Sequence, residues 1–578
     1  MTVPQLAAPT CTATLDGDRI RLATPFRLKD LVKSLPGARW DAARKTWSVP
    51  ATPAAAGAAV EALTPHGLEP TEPIAALAQA AVAGIAIKAA ADGELTPARS
   101  RTTPWHHQTQ GYHMIVEQPA AMLAYDMGTG KTKCVVDAVC NLDDIRRVLI
   151  VCPKSVIAVW PREFEKHGWT WTCPSADPHA CSLRIVALDE GTIAKRTRRA
   201  DMALKLAAAR HEKCVLVINY EAAWQGVFGE WALLQDWNMV VGDELHRIKA
   251  PGGKASRFME KVGRKAGHRV GLTGTPMPHS PLDVYGQFRF LDTGIFGSSF
   301  VRFRARYAVM GGYQHHEVLG FQHQDELHAK FYSIAHRVKK GDVLDLPPTI
   351  HQERRVELGD NARRIYHEVE REFIADLGTG VITAANALAR LLRLQQITSG
   401  YGVTETGEQI ALDDAKSLEL ADILDDLDIQ EPVVCFARFR HDLNCIRTVA
   451  EKAGRQCMEL SGRMNELAAW QNAKGGEVLA VQIQAGGVGI DLTRAAYCVY
   501  FSLGFSLGDY SQSLARLDRP GQTRSVTYLH LVAASTVDEK VYQALQTRAA
   551  VVESVLAQIR KSLAAPEALP ASRDEAKA

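Results

Sequence analysis

The sequence feature that most constrains the fold is an apolar run followed at once by a glycine turn and a helical pattern. It reads Leu-Ala-Tyr-Asp-Met-Gly-Thr-Gly-Lys-Thr over residues 123–132. Gly128 and Gly130 allow the backbone to turn tightly and to present N–H groups to phosphate oxygens. Lys131 can then reach the outer phosphates of a nucleotide, and the Thr132 hydroxyl can hold Mg²⁺. The stretch therefore predicts a strand, a phosphate-binding loop and a helix whose N-terminal dipole faces the same phosphates.

The glycine loop by itself leaves an alternative open. The strict phosphate-loop pattern has glycine five residues before Gly130, and this chain has Tyr125 there. A glycine turn before a helix also occurs where no phosphate binds. The interpretation therefore depends on motifs further along the chain.

Bulk composition is that of a globular protein of several domains. The 578 residues are enough for about three or four domains. The sequence is 46% hydrophobic and 23% charged, and 67 Lys+Arg against 65 Asp+Glu give a formal net charge of +2. Such a balance creates no global attraction to nucleic acid or membrane, so a DNA contact would need a local basic patch. The eleven cysteines include no Cys-x-x-Cys pair, which favours reduced thiols in a cytoplasm. We expect a soluble, intracellular protein, because no signal peptide or run of 18 apolar residues is present.

Short runs of β-branched residues alternate with helical patterns in two parts of the chain. Such runs are typical of parallel strands buried on both faces of a sheet. The strands that we predict are at 148–152, 184–188, 214–218, 239–242 and 269–272, and then at 433–436, 478–482, 498–501 and 526–531. The predicted fold class is α/β, with two parallel-sheet lobes, helical insertions and a small α+β N-terminal domain.

The N-terminal α+β domain is predicted over residues 12–68. Its pattern combines a strand at 19–23, a helix at 26–35 and a hairpin at 40–50. The hairpin carries Trp40 and Trp47, which we expect to form the core of the domain. Three basic residues near these rings, Arg39, Arg44 and Lys45, would suit contact with a DNA backbone.

The remaining boundaries follow from shifts in composition and pattern. The predicted divisions are 1–11 disordered, 69–103 linker and helix, 104–300 first lobe, 301–425 helical insertion and interlobe region, 426–550 second lobe, and 551–578 C-terminal helix with a disordered tail.

Two adjacent carboxylates end the predicted strand at 239–242. Open α/β sheets bind their ligands at the carboxyl ends of strands, and Asp243 and Glu244 would lie there. Asp243 would reach Mg²⁺ and Glu244 would polarise the attacking water, the two functions that phosphoryl transfer needs beside a phosphate loop. A lone Asp-Glu pair is more often a surface loop. Together with Gly-Lys-Thr about 110 residues earlier, it indicates an ATPase.

At this point the motifs resemble those of a known family. Asp-Met-Gly-x-Gly-Lys-Thr at 126–132, Asp-Glu-Leu-His-Arg-Ile-Lys at 243–249 and Leu-Thr-Gly-Thr-Pro-Met at 272–277 resemble the first lobe of superfamily-two helicase-related ATPases. In wording they are similar to the Swi/Snf-like branch, which moves along double-stranded DNA. Leu245 replaces the alanine that the family usually has, and this leaves both carboxylates in place. The resemblance implies two RecA-like lobes with ATP and Mg²⁺ bound between them.

The predicted second lobe would supply positive charge to the phosphates. Gln-Ser-Leu-Ala-Arg-Leu-Asp-Arg-Pro-Gly-Gln at 512–522 contains Arg516 and Arg519, three residues apart and so on one predicted helix face. We expect Pro520-Gly521 to end that helix. An arginine pair on a helix is usually a solvated face, but the segment matches the family's last motif, in which two arginines act as arginine fingers.

The resemblance implies further site residues, each at a position that matches a family motif. Gln108 would read adenine, and Thr273 and Thr275 would couple the nucleotide site to movement on DNA. The other nucleotide-site residues implied are Asp126, Met127, Thr129, Gly489, Asp491 and Gln512, and the other DNA contacts are Lys154, Arg438 and Gln484. The family commonly has Ser or Thr near position 484.

Two features lie outside the motor motifs, namely a tryptophan pattern in the N-terminal domain and a group of His and Cys residues at 167–181. The Trp-Asp and Lys-x-Trp-x-x-Pro pattern of the N-terminal domain is similar to the accessory domain of annealing helicases, which favours forked or junction DNA. His167, Cys173, His179 and Cys181 could form a zinc site by composition, but the spacing matches no common finger. We expect a loop without metal there.

These observations lead to one functional hypothesis and three alternatives. The hypothesis is an ATP-dependent DNA translocase or helicase-like motor that acts as a monomer, hydrolyses ATP on double-stranded or forked DNA and anneals or remodels it, in a bacterial or phage setting. The alternatives are a motor that strips proteins from nucleic acid, a non-catalytic DNA-binding scaffold, and an RNA helicase of the wider superfamily.

Overall fold

Antiparallel strands open the chain, as the alternating pattern of its first part predicts. The computed structural model describes residues 11–168, 183–278, 280–311, 317–378, 384–404, 407–485 and 490–547. They divide into two compact units, Met1–Leu344 and Asp345–Ala578. The predicted disordered start, 1–11, lies outside the described residues except for Cys11, which is buried, and the predicted C-terminal helix and tail, 551–578, also lie outside them.

The first unit begins with a four-stranded antiparallel sheet in the order β1-β2-β4-β3. Its elements are β1 Thr12–Asp16, β2 Arg19–Ala23, α1 Lys29–Ser34, β3 Arg39–Asp41, β4 Thr46–Pro50, α2 Pro53–Leu63 and α3 Glu72–Ala89. Ile20 and Val49 lie opposite each other in the sheet and are fully buried with Val32 of α1. Alanines of α2 complete this core, and their small side chains allow the helix to lie close to the sheet.

The expected tryptophan core of this domain is wrong for Trp40, whereas Trp47 packs against the edge of the core. The hairpin β3–β4 is present and Trp40 lies opposite Trp47, with ring centroids 5.4 Å apart. Trp40, however, is 51% exposed and Trp47 is only partly buried. The reason is that Trp40 lies on a three-residue edge strand, which no helix covers. The apolar core is instead built on the central strands β2 and β4.

A seven-stranded parallel sheet forms the rest of the first unit, in the order β13-β5-β10-β9-β6-β8-β7. Its strands and hairpin are β5 Ala120–Tyr125, β6 Arg147–Cys152, β7 Leu183–Ala187, β8 Lys213–Asn219, β9 Met239–Asp243, β10 His268–Leu272, β11 Ala308–Gly311, β12 Glu317–Phe321 and β13 Ala335–Val338. Its helices are α4 His106–Val116, α5 Lys131–Asn141, α6 Val159–His167, α7 Ile193–Ala209, α8 Tyr220–Ala223, α9 Gly226–Leu233, α10 Lys254–Gly263, α11 Val284–Leu291, α12 Thr293–Phe296, α13 Phe300–Tyr307, α14 Gln324–Ile334 and α15 Lys340–Val343. All six residues of β5 are buried, as the apolar run predicts.

The second unit is built on a six-stranded parallel sheet in the order β14-β21-β20-β17-β19-β18. Its strands and hairpin are β14 Ile350–Val356, β15 Tyr401–Val403, β16 Gln409–Ala411, β17 Val433–Ala437, β18 Cys457–Leu460, β19 Val478–Gln482, β20 Tyr497–Tyr500 and β21 Thr527–Ala533. Its helices are α16 Asp360–Gly378, α17 Ala384–Thr398, α18 Ala415–Asp426, α19 Arg440–Lys452, α20 Leu467–Asn472, α21 Leu507–Leu517 and α22 Val537–Gln546. The α/β fold class with two parallel sheets and a small N-terminal domain is confirmed.

Two edge strands were missed in the segment that the sequence predicted to be helical. β13 joins the first parallel sheet beside β5, and β14 joins the second beside β21 over seven residues. Both sequences contain polar residues, Ala-His-Arg-Val and Ile-His-Gln-Glu-Arg-Arg-Val. An edge strand is partly solvated, so a search for continuous apolar runs finds only the central strands.

By length and composition, one helix in the described part of the chain could cross a membrane, namely α3. The structure places it against α2, α4 and α14. Its C-terminal turn is tied to the parallel-sheet part of the unit, because the Gln110 amide donates to the carbonyl of Ala90 and Lys88 Nζ donates to that of Ala335. The N-terminal sheet is therefore linked to the larger sheet through a packed helix.

Candidate active site

The carboxyl ends of four neighbouring strands bring the first-lobe motifs together. β10 pairs with both β5 and β9, and Leu272 lies opposite Leu123 on one side and Asp243 on the other. β6 is the next strand after β9. The loops that follow these strands therefore lie side by side at the edge where parallel sheets bind ligands. They are the loops at 126–130, 273–275, 243–246 and 153–155.

The glycine loop adopts the conformation that its two glycines permit. Gly128 has φ 84° and Gly130 has φ 82°, both in the left-handed region that disfavours other residues. A Cβ at Gly130 would also lie 2.2 Å from Nε2 of Gln108. α5 begins immediately after the turn, at Lys131. Thr132 lies in its first turn, and the half-buried Met127 stands just before Gly128. The loop and the helix N-terminus together fit a phosphate group.

Buried bonds fix this loop from below. Thr129 is fully buried, its Oγ1 donates to the carbonyl of Asp126 at 2.7 Å, and its own carbonyl accepts from His107 Nε2 at 2.8 Å and Gln108 Nε2 at 3.3 Å. Gln108 Oε1 accepts from the backbone N–H of Trp105 at 3.0 Å. Gln108 is thus part of the support of the loop. Its reading of adenine stays a prediction.

Asp126 connects the loop to the edge strand that the sequence did not reveal. Its carboxylate accepts from Arg337 Nη2 at 2.9 Å and from the backbone N–H of Lys340 at 3.1 Å. Arg337 Nη1 also donates to the carbonyl of Gly274 at 3.1 Å. One guanidinium therefore joins the phosphate loop to the Thr273–Thr275 loop. The sequence offered no signal for Arg337, because β13 was not recognised as a strand.

The two acidic residues are buried at the end of β9. Asp243 and Glu244 are each 5% exposed, and Glu244 has φ 49°, an uncommon conformation for a residue with a side chain. The backbone N–H of Glu244 donates to Asp243 Oδ1 at 3.0 Å. Burial and the adjacent Glu244 raise the pKa of Asp243, while the charge of Lys131 lowers it. A divalent cation would favour the ionised form, so Asp243 with Thr132 fits Mg²⁺.

One carboxylate oxygen of Glu244 is available to bind another group. Its Oε2 is buried and has no hydrogen-bond partner within the described residues. His246 Nδ1 lies 3.4 Å from this oxygen. A buried carboxylate oxygen without a donor is costly unless a bound group supplies one. An attacking water would be such a group.

His246 links the acidic pair to the next motif. Its Nδ1 and Thr273 Oγ1 are hydrogen bonded at 3.0 Å, and Thr273 Oγ1 accepts from the backbone N–H of Thr275 at 3.1 Å. Burial lowers the pKa of His246, which keeps the ring neutral and lets Nδ1 accept from the threonine hydroxyl. The structure therefore connects Glu244, His246 and Thr273 in a row. The family motifs point to the two threonines, whereas the position of His246 between Glu244 and Thr273 is seen only in the structure.

Lys154 is exposed at the end of β6, in a short 3₁₀ helix, Lys154–Val156. Its position at the rim of the same sheet edge is compatible with contact to a phosphodiester. That contact stays a prediction.

In the second unit the predicted helix with two arginines ends earlier than expected. α21 stops at Leu517, so Arg516 lies on it and Arg519 does not, and the expectation that the two share a helix face is wrong. The physical reason is Pro520, because the residue before a proline is disfavoured in the helical region. Arg516 is buried, and Arg519 Nη1 donates to the carbonyl of Ile490 at 3.0 Å. Gln512 is half-buried on α21.

The other second-unit predictions are placed as follows. Asp491 is exposed, and its Oδ1 accepts from the N–H and the hydroxyl of Thr493 at 3.0 and 2.7 Å. Gln484 is exposed, and Gly489 lies outside the described residues. Arg438 is folded against the protein, with Nη1 donating to Gln395 at 2.5 Å, and burial lowers its pKa to about 10.

The residues of the considered zinc site are largely outside the described part. Cys173, His179 and Cys181 lie there, and only His167 is described. His167 Nδ1 is hydrogen bonded to Thr102, and its Nε2 is 3.4 Å from Glu163. Among the described residues, no group of three His, Cys, Asp or Glu side chains is arranged for a metal ion.

Two family models match the chain. Residues 107–401 match the SNF2-related domain, and residues 19–60 match a domain of unknown function, DUF5710. The first match covers the phosphate loop, the acidic pair and the Thr273–Thr275 loop.

Relatives come from several kinds of organism. Protein p41 of Acyrthosiphon pisum secondary endosymbiont phage 1 is 28% identical over 461 residues, which are 75% of this chain and 94% of that protein. An uncharacterized ATP-dependent helicase of Mycoplasma genitalium is 23% identical over 76% of this chain and 40% of that protein. The DNA annealing helicase and endonuclease ZRANB3 of Mus musculus is 24% identical over 82% of this chain and 43% of that protein. The chain thus spans nearly all of the phage protein but less than half of the other two.

Among solved structures, the SWI2/SNF2 ATPase core of Sulfolobus solfataricus in complex with dsDNA is similar. It has 22% sequence identity and a TM-score of 0.37, and the match covers 78% of this chain and 92% of that one.

Proposed function

This chain belongs to the SNF2-related family of helicase-like ATPases, and we propose that it is a motor that hydrolyses ATP on double-stranded DNA and moves along the duplex. The observation that carries the proposal is the joint placement, at one sheet edge, of the phosphate loop, the buried Asp243 and Glu244, and the Thr273 loop. A non-catalytic scaffold would have no use for a buried Glu244 oxygen without a donor.

The proposal gives each side chain of the first unit a distinct task. Backbone N–H groups of 128–131 bind the phosphates, and Lys131 places positive charge on them. When bound, Mg²⁺ would supply further positive charge at the phosphates, held by Thr132 and Asp243. Glu244 Oε2 accepts a proton from the attacking water, which needs an ionised carboxylate with a free lone pair.

Coupling to DNA is assigned to the contact between Glu244 and His246 and to the hydrogen bonds that continue from His246 through Thr273 to Thr275. A change at the phosphates would alter the position of Glu244 and of the neutral His246 ring. Thr273 Oγ1 bonds to both His246 and the N–H of Thr275, so it can exchange partners when that ring moves. Arg337, which bonds both Asp126 and Gly274, provides a second connection between the same loops.

For the second unit, the assignment follows the family motif. We propose that Arg516 and Arg519 stabilise the charge that develops on the phosphates, and that Asp491, Gly489 and Gln512 belong to the nucleotide site. Lys154, Arg438 and Gln484 are proposed as DNA contacts. Arg438 would have to leave Gln395 to reach a phosphate.

We also propose that the N-terminal domain favours forked or junction DNA. Trp40 is exposed on an edge strand, where its ring can stack on an unpaired base. Arg39 on one side, and Arg44 and Lys45 in the hairpin turn, are exposed or half-exposed and can bind nearby phosphates. Such a surface would respond to a fork, where bases are unpaired, more than to an intact duplex.

We place this activity in a bacterial cytoplasm. Buried cysteines such as Cys134, Cys152 and Cys435 are free thiols, as a reducing compartment requires. The phage and Mycoplasma relatives agree with this setting.

The proposal is tested by steady-state ATP hydrolysis with duplex, forked and single-stranded DNA and with RNA, all at the same salt concentration. The Glu244→Gln protein serves as the blank. We expect stimulation by duplex DNA and a larger stimulation by forks. Stimulation by RNA alone would replace DNA as the substrate, and absence of hydrolysis under every condition would contradict the motor.

A further inference from the structure

An arginine-rich cavity lies on the opposite side of the first unit from the phosphate loop. It has a volume of about 490 Å³ and is bounded by the N-terminal domain on one side and by α10, α11 and the start of β10 on the other. Arg269 lies near the start of β10, whereas Thr273 follows the end of that strand. The cavity is therefore at the amino edge of the parallel sheet and is distinct from the candidate ATP site. We call it the arginine cavity.

Positive charge dominates its lining. The arginines are Arg19, Arg39, Arg264, Arg269 and Arg289, and the acidic residues of the lining are Asp18 and Glu260. Arg264 forms an ion pair with Glu260. Asp292 is buried and is not part of the lining, and its negative charge favours the charged form of Arg269 by raising its pKa. Even when all three carboxylates are counted, the arginines outnumber them.

Most of these guanidinium groups have only neutral partners. Arg39 Nη2 donates to Ser298 Oγ at 3.3 Å, and Arg269 reaches the carbonyl of Pro119 only at 3.4 Å. Arg289 Nη2 donates to the carbonyl of Pro251 at 2.8 Å, while its Nε is buried without a hydrogen-bond partner in the described part of the chain. Arg19, Arg269 and Arg289 are half-buried, and the buried Nε donor of Arg289 is costly to leave unpaired. The cavity therefore has unused capacity to bind negative charge.

Burial and a neighbouring arginine both act on the charge of Arg19. Burial and the charge of Arg39 lower the pKa of Arg19, and Asp18 opposes this only in part. Arginine nevertheless stays charged at any physiological pH. Loss of a proton therefore cannot relieve the repulsion, whereas a bound anion would.

A second recess adjoins the arginine cavity and is also lined by basic residues. Gly37 and Ser298 line both spaces. The second recess, of about 250 Å³, adds Lys33, Arg302 and Lys330. Lys330 already pairs with Glu326, but Lys33 and Arg302 are exposed. The basic surface thus extends along the junction between the N-terminal domain and the parallel-sheet part of the unit.

We propose that the arginine cavity binds a phosphate-bearing ligand. The planar fork of arginine matches phosphate oxygens in bidentate geometry, and several arginines around one space suit a ligand with more than one phosphate. Two sources share this chemistry, a free phosphorylated small molecule and the phosphodiester backbone of DNA. Binding would tie the N-terminal domain to the rest of the unit, since Arg19 and Arg39 come from one and Arg269 and Arg289 from the other. The inference does not depend on ATP turnover.

The test measures binding by calorimetry to the full chain carrying Lys131→Ala, which removes the phosphate-loop lysine from the competition. The probes are inorganic pyrophosphate, citrate and a 20-base-pair blunt duplex. The variants are Arg39→Ala, which loses one bond to Ser298, and Arg39→Ala combined with Arg289→Ala. The matched control is Arg27→Ala, since Arg27 is exposed on the same domain and does not line the cavity.

Two results would support the proposal and separate the sources. Pyrophosphate binding that is weakened at least about tenfold by the variants and not by Arg27→Ala would indicate a free ligand. Absence of pyrophosphate binding, with duplex affinity lowered about tenfold by the same variants alone, would indicate the DNA backbone. Equal affinities for all variants, no binding of either probe, or citrate binding as tightly as pyrophosphate would overturn it. If the double variant melts early, Arg39→Ala alone decides, because Arg39 is exposed.

Discussion

In the first unit the motif residues are fixed by buried bonds in loops that directly follow strands, whereas in the second unit they lie on a helix and on more exposed turns. Thr129, Glu244 and Thr273 are all at most 5% exposed, and each is held by neighbouring backbone or side chains. In the second unit Arg516 is also buried, but Arg519 is half-buried and Asp491 is exposed. The difference indicates that the first unit is preorganised for nucleotide and that the second contributes groups with more freedom to move.

The largest effect is expected from changes within the preorganised loops. Lys131→Ala and Glu244→Gln should each lower kcat at least about 1000-fold, because one removes charge from the phosphates and the other removes the group that accepts the proton. Steady-state ATP hydrolysis measures this. Lys166→Ala and Glu165→Gln, both exposed on α6, are the matched controls. Near-normal turnover by Glu244→Gln would contradict its assignment.

The second unit should show a smaller effect that leaves nucleotide binding intact. Arg519→Ala is expected to lower kcat about 100-fold with little change in KM, since a guanidinium that acts on the transition state adds little to ground-state binding. Arg519→Lys should recover part of the loss. Arg524→Ala, which removes a half-exposed arginine paired with Glu431, is the control. A rise in KM at constant kcat would instead make Arg519 a binding residue.

Each unit also contains a buried neutral histidine, so their acid stabilities can be compared. Burial lowers the pKa of His336 in the first unit to about 4 and that of His530 in the second to about 3. Below the unfolded value of about 6.5, the unfolded chain binds a proton that the folded unit does not. Each histidine should therefore cost about 2 kcal/mol of folding free energy at pH 5, and the loss begins as the pH falls below about 6.5.

Urea unfolding between pH 7 and pH 5 measures this loss. His336→Gln and His530→Gln should each flatten the pH dependence. His211→Gln, at an exposed turn on β8's amino side, should leave it unchanged. Identical slopes in all proteins would show that neither histidine is kept neutral by the fold.

Coupling between nucleotide and DNA is expected to show a more modest effect. Thr273→Val removes the hydroxyl that joins His246 to the N–H of Thr275 while keeping the shape of the side chain. The ratio of DNA-stimulated to basal hydrolysis should fall about tenfold, which is the loss of roughly one buried hydrogen-bond link. Thr273→Ser keeps the hydroxyl and should retain the ratio. A similar loss in both variants would indicate a packing effect.

The sequence predicts best those parts of the molecule whose residue types by themselves restrict the backbone conformation or the burial of the segment. Gly128 and Gly130 need left-handed φ, and the apolar run before them needs burial, so strand, turn and helix follow from local physics. Asp243 was placed correctly at a strand end for the same reason. The position of Arg337 beside the phosphate loop could not be predicted, because Arg337 lies on a polar edge strand that the sequence pattern does not indicate. Its function appears only when the register beside β5 is known.

Side chains on elements of uncertain length were predicted less well. Arg516 and Arg519 are three residues apart, which gives a shared face only if the helix continues, and Pro520 stops it first. Trp40 and Trp47 are large aromatic residues of the kind found in cores. Whether such a side chain is buried depends on whether its strand is at the edge of the sheet, which the sequence pattern does not show. The arginine cavity was also beyond reach, because its arginines are up to 270 positions apart in sequence and meet only through tertiary packing.

The smallest effect is expected in the N-terminal domain, where the predicted core position of Trp40 is wrong. The prediction distinguishes a Trp40 ring that stacks on DNA bases from one that only covers Trp47. If Trp40 stacks on unpaired bases, Trp40→Ala should lower the stimulation of ATP hydrolysis by forked DNA about fivefold while leaving that by intact duplex unchanged, as expected for one stacking contact of about 1 kcal/mol. Trp40→Phe keeps an aromatic face and should retain most of the fork response. Phe26→Ala, another exposed aromatic residue of the same domain, is the control. Because Trp40 contributes little to the core, its loss should barely change Tm. A fall in Tm with equal loss on fork and duplex would instead mean that the ring only covers Trp47, and the preference for forks would then have no support in this hairpin.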